Sequence, residues 1–113
     1  MADIPYVGLF TSQSEIRAQR ERVRKTIAAV MDAVAWQRAN RGEAVKMIAT
    51  RYRITPSEAE HSYETMTRIL SANGSIELKK VRGYLALLRE ERPVSENLDA
   101  ETLVDFSMLP SAR

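Results

Sequence analysis

"IAAVMDAVAW", residues 27–36, is the stretch whose reading decides the fold. Every residue in it except Asp32 is apolar or small. Turned at helical pitch, these positions occupy the whole circumference rather than one stripe. A helix apolar all round is buried on most sides. Ile27–Trp36 is therefore expected at the centre of the molecule. Asp32 is expected at its wettest edge or beside an arginine, in preference to a role as a functional carboxylate.

Upstream, Ser12 and Glu15 form S-x-x-E, a capping box that opens a helix. Ile16, Val23, Ile27, Val30 and Val34 continue its apolar side, so one helix is predicted over 12–40. Such a helix would be about 40 Å long. Arg20 stands where the stripe should be apolar, which places a possible break near Gln19. Residues 3–11, "DIPYVGLFT", carry β-branched and aromatic residues with an internal Gly and an early Pro, and read as an extended segment. No partner strand for it is evident in the chain.

Downstream, Gly42 in "ANRGE" predicts an end to the long helix and a second helix over 43–53. Thr55, Pro56 and Glu58 announce a third over 56–71: an N-cap, a proline at the first helical position and the reciprocal carboxylate of a capping box. Asn73-Gly74 supplies a turn that accepts positive φ. Leu78, Val81, Leu85 and Leu88 mark a fourth helix over 76–91, stopped by Pro93. Residues 94–113 form a tail, with one short helical turn capped by Asp99 or Ser95. Its end, "TLVDFSMLPSAR", is too apolar to lie free in water. The fold class expected for the chain alone is mainly α, with four helices, a short N-terminal extended segment and a C-terminal tail.

Composition narrows the chemistry. The chain has 113 residues, 44% hydrophobic and 28% charged, which is one domain's worth of ordinary globular sequence. No apolar run approaches a bilayer span, and "MADIPYVGLFTSQSE" does not read as a secretory signal. Without cysteine there is no disulfide or thiolate metal site, and one histidine cannot make a histidine-rich one. His61 reads as a helix-surface residue rather than a general base, because no orienting partner is in view.

Gly8, Gly42, Gly74 and Gly83 form neither a dinucleotide fingerprint nor a P-loop. Asp99, Glu101 and Asp105 cluster near the C-terminus, on a surface turn rather than in the cleft that an acid–base pair needs. No catalytic, metal-binding or cofactor-binding residue is assigned, and ligand-binding residues stay unassigned. The net charge of +2 is a weak excess. Its densest patch, Arg17, Arg20, Arg22, Arg24 and Lys25, could face phosphate but is interleaved with Glu15 and Glu21. A helix–turn–helix over 44–70 is disfavoured, because Glu58 and Glu60 occupy the end that would enter a groove.

Taken in order, several pieces resemble one known arrangement. They are "GLFTS", the Ala-rich helix ending in "AWQRANRGEAV", "ITPSEAE", the "NGSI" turn and the closing "LVDFSMLPSA". Together they resemble the C-terminal portion of periplasmic substrate-binding proteins of the sulfonate/nitrate/taurine and thiamine-pyrimidine type, which serve ABC importers. Order and spacing carry the likeness, since each motif is common alone. "IRAQRERV" departs from it where the family often has a helix-separating proline.

The resemblance implies two α/β lobes with ligand in the cleft between them, of which this chain would supply part of one. Residues 3–11 would then cross between lobes, and Ile27–Trp36 would pack on a sheet this chain does not contain. It implies a non-enzymatic solute-binding component for a small organic or inorganic anion or pyrimidine-like solute, working with an ABC permease, without cofactor and outside the cytoplasm. A stand-alone product would be cytoplasmic. The alternatives are a small helical protein-interaction module and, third, a basic nucleic-acid-binding helical domain. Either way the apolar helix is expected to drive homo-oligomerisation through Ile27, Val30, Met31, Val34 and Trp36.

Overall fold

The computed structural model describes residues 7–110. Helices are its only regular structure among those residues: α1 (Gln13–Ala18), α2 (Arg20–Ala39), α3 (Arg41–Tyr52), α4 (Pro56–Ile69), α5 (Leu78–Glu91) and α6 (Ala100–Leu103). The molecule is mainly helical, as expected, but with six helices rather than four. Residues 7–11 have no regular structure, and residues 3–6 of the expected extended segment lie outside the described residues, as do 111–113 of the tail.

The helix predicted over 12–40 is two. Ser12 accepts from the Glu15 N–H at 3.1 Å and starts α1. Glu15 does not close the box; it pairs with Arg22 across the break. At Gln19 the backbone turns to φ −130°, ψ 39°, and α2 starts at Arg20. The polar residue in the apolar stripe gives a continuous helix no packing reward there.

The next boundary falls at Asn40, not at Gly42. Asn40 leaves helical geometry, and its side-chain amide donates to the Trp36 carbonyl at 2.8 Å. An asparagine that bonds its own backbone offers the chain an alternative to continued helix. Gly42 is instead inside α3, where glycine costs about 1 kcal/mol relative to alanine. α3 ends at Arg53 in the left-handed region, φ 54°.

Thr55 and Glu58 form the complete capping box of α4, with Pro56 in its first turn. α5 begins at Leu78, two residues later than predicted, and ends before Arg92. Arg92 is extended at φ −154°, ψ 157°, the region to which a following proline pushes its neighbour. Asp99, not Ser95, caps α6 by accepting from the Thr102 N–H at 2.8 Å.

α3 packs on α4 and on α2, and the buried residues there are Val34, Ala44, Ala59 and Tyr63. A second cluster joins α5 to α6 through Val81, Leu85 and Ala100, with Ile76, Leu78, Val94, Leu98 and Val104 around it. The closing tail finds cover within the chain: Met108 is buried, and Leu109 and Met31 both lie over Gly74.

These clusters are thin. The radius of gyration is 16.7 Å, against about 13 Å for a compact chain of this length. Among the described residues no large side chain is fully buried. The expectation that Ile27–Trp36 is buried on most sides fails for this reason. Only Val34 of that stretch is buried; Val30 is 39% and Trp36 44% exposed, because no second layer lies across the outer side of α2.

Candidate functional site

Polar interactions concentrate where α2, α3 and α4 meet. Helical spacing brings Tyr63 to the inner face of α4, where its ring is buried and its hydroxyl donates to the Gln37 carbonyl at 3.0 Å. Arg41, in the first turn of α3, lies 5.2 Å above the ring centroid. Its guanidinium pairs with Glu60 and, at 3.0 Å, with Glu64. The hydrogen bonds that Arg41 donates to Glu60 and then to Glu64 raise its pKa further above its ordinary value. One turn earlier, Arg38 donates to the carbonyls of Thr67 and Leu70 at 2.9 and 2.7 Å. Thr67 lies in the last turn of α4 and Leu70 is its C-cap, positions whose carbonyls have no intrahelical partner.

A shallow open depression beside this junction is lined by Arg41, His61, Tyr63, Glu64, Thr67 and Arg68. It is a surface dip rather than a cleft. The Gln37 side-chain amide nitrogen and the Thr67 hydroxyl are buried without a hydrogen-bond partner among the described residues. His61 is exposed on its rim. Arg41, above the ring, is engaged by two carboxylates, which leaves it poorly placed to take an anionic ligand.

The acidic residues near the C-terminus do not converge. Asp99 caps α6, and Glu101 pairs with Arg82. Asp105 accepts from the Ser107 N–H at 2.8 Å. Ser107 holds the Asp105 carboxyl below its usual range through side-chain and backbone bonds, with Arg20 adding to the effect. No group of three potential metal ligands comes together among the described residues. No helix there is long and apolar enough to cross a membrane.

The basic stripe is partly neutralised within the chain. Arg22 pairs with Glu15, and Arg24 with Glu21 through bonds of 3.0 and 2.7 Å. Lys25 lies 3.9 Å from the same Glu21. Arg24 lowers the Glu21 pKa, chiefly by that hydrogen bond. Asp32 is exposed, at the wet edge of α2.

The surface has one further character, which is apolar. Phe10 is 100% exposed, and Val7 and Leu9 beside it are exposed as well. The residues named for self-association separate: Val34 is buried, Ile27 and Met31 are half-buried, and Val30 and Trp36 face outward. Sequence reading missed the Arg41–Tyr63–Gln37 junction, because its parts sit on three helices with no local spacing that ties them. Comparison with protein-family models, with curated proteins and with solved structures finds no match for this chain.

Proposed function

We propose that this chain is a non-enzymatic closing segment of a solute-binding protein that serves an ABC importer for a small anion or pyrimidine-like solute. The observation that supports the reading is apolar surface without cover. Phe10, Leu9 and Val7 precede α1 as an exposed irregular segment, and Trp36 and Val30 face outward from α2. Surfaces of this kind belong against another body. In the family that the sequence resembles, that body is the remainder of the lobe and its sheet. The solute would be held largely by that remainder, so no binding residue is assigned in this chain.

The same surface favours a second reading when the chain acts alone, a small helical module that docks a protein partner. A nucleic-acid role draws less support, since Glu15 and Glu21 already hydrogen-bond Arg22 and Arg24. An antibody raised against the chain, applied to fractionated cells of its source, separates the first two. The transport reading expects a band well above 12.8 kDa in the extracytoplasmic fraction. A band at 12.8 kDa in the cytosol overturns it in favour of the module.

A further inference from the structure

The outer side of α2 carries a second seam, distinct from the one that packs inward. Arg22, Thr26, Ala29, Ala33 and Trp36 recur at alternating spacings of four and three, the repeat that keeps one face toward a partner helix. All five are exposed. Val30 borders the seam on one flank, and Lys25 and Asp32 border it on the other. Ala29 and Ala33 at its middle leave room for a second helix to approach closely.

The charges select the occupant and its direction. When two helices pair in parallel, a flank of one meets the opposite flank of the other, so Lys25 and Asp32 would both face the Val30 side. When they pair antiparallel, each flank meets its own counterpart. Lys25 of one copy then stands beside Asp32 of the other, twice by symmetry. The same register places Arg22 of each copy, which keeps its pair with Glu15 of its own chain, near Trp36 of the other, within reach of a cation–π contact. Its centre falls near Ala29, close to the midpoint of α2 (Arg20–Ala39), so nearly the whole helix overlaps.

We propose that two copies of this chain pair antiparallel along the outer face of α2, with Ala29 near the two-fold axis, Lys25 beside Asp32 and Arg22 over Trp36. The interface is isologous, as closed dimers require. It moves the self-association surface away from Ile27, Met31 and Val34, which are wholly or partly covered within the chain. A single helix pair buries roughly the 1,000 Å² at the lower limit for a specific interface, so a weak dimer that forms below about 1 mM is expected. The pairing concerns the free 113-residue chain and does not rest on the transport reading.

Sedimentation equilibrium on the whole chain tests it, with circular dichroism to establish that each variant keeps its helix content. The wild type is expected to dimerise, and A29R to remain monomeric. K25D is expected to weaken the dimer by about tenfold or more, by setting Asp against Asp32 at both ends of the axis. K25D/D32K, which restores opposite charges in this register alone, is expected to return to within about threefold of wild type. A wild-type monomer at about 1 mM overturns the proposal. So does a dimer whose affinity the charge swap leaves unrestored; that pair of variants keeps the test intact if A29R fails to fold.

Discussion

Leu109 lies directly over Gly74: a Cβ built on the glycine would stand 2.6 Å from the leucine Cδ2 and 2.9 Å from the Met31 sulfur. Gly74 also holds φ at 79°, a conformation that side-chain-bearing residues adopt at a cost. The tail, the 73–75 turn and the middle of α2 thus meet at one atom-poor position. Asn73 shapes the turn by accepting from the Ser75 N–H at 3.0 Å.

G74A is expected to lower stability by about 2–4 kcal/mol, from backbone strain and the forced displacement of Leu109 together. Urea unfolding followed by circular dichroism measures it. In an L109A background the closer of the two clashes is already relieved and the flexible Met31 side chain gains room to shift, so G74A should cost less. Equal losses in both backgrounds would mean that the tail does not rest on the glycine.

Arg53 is the reverse case. It caps α3 in the left-handed region at φ 54°, where glycine is the usual occupant. R53G is expected to stabilise the chain by about 0.5–1 kcal/mol, since the relief of strain outweighs the added freedom of the unfolded glycine. A lower midpoint of thermal unfolding in R53G would show that the arginine side chain contributes contacts that outweigh the strain.

At the α2–α3–α4 junction burial, not charge, should dominate. Y63F removes one hydrogen bond and is expected to cost about 1 kcal/mol; Y63A empties a buried ring site and should cost about 3–5 kcal/mol. R41A removes exposed ion pairs and should leave the unfolding midpoint close to wild type. The order Y63A, then Y63F, then R41A is the readout, and a larger loss for R41A than for Y63F contradicts it.

Acid should loosen the start of α4. Side-chain and backbone bonds from Thr55 lower the Glu58 pKa below its ordinary 4.5. Because the folded value is the lower one, its contribution is present above pH 4.5 and is lost as pH falls through the folded value. T55A is expected to cost about 1 kcal/mol at neutral pH and to flatten the acid limb of stability against pH. An unchanged acid limb would place the pH dependence elsewhere, with Glu21 and Asp105 as the other lowered carboxylates among the described residues.

Local chemistry by itself determined much of this molecule. The Thr55-Pro56-Glu58 start of α4, the positive φ at Gly74 and the end of α5 before Pro93 each depend on a few neighbouring residues, and each stands as read. The boundary at Asn40 rather than Gly42 was less legible, since a side chain competing for its own backbone outweighed the more visible glycine. What only the tertiary structure decided is which side of each helix is covered. The apolar composition of Ile27–Trp36 specified a helix with apolar surface to hide, but not what would hide it. Val34 is buried, Met31 lies with Leu109 over Gly74, and Trp36 is left facing outward. The meeting of Arg41, Tyr63 and Gln37 was equally hidden, because contacts between helices depend on crossing geometry summed along the whole chain, whereas caps and turns depend on four or five consecutive residues.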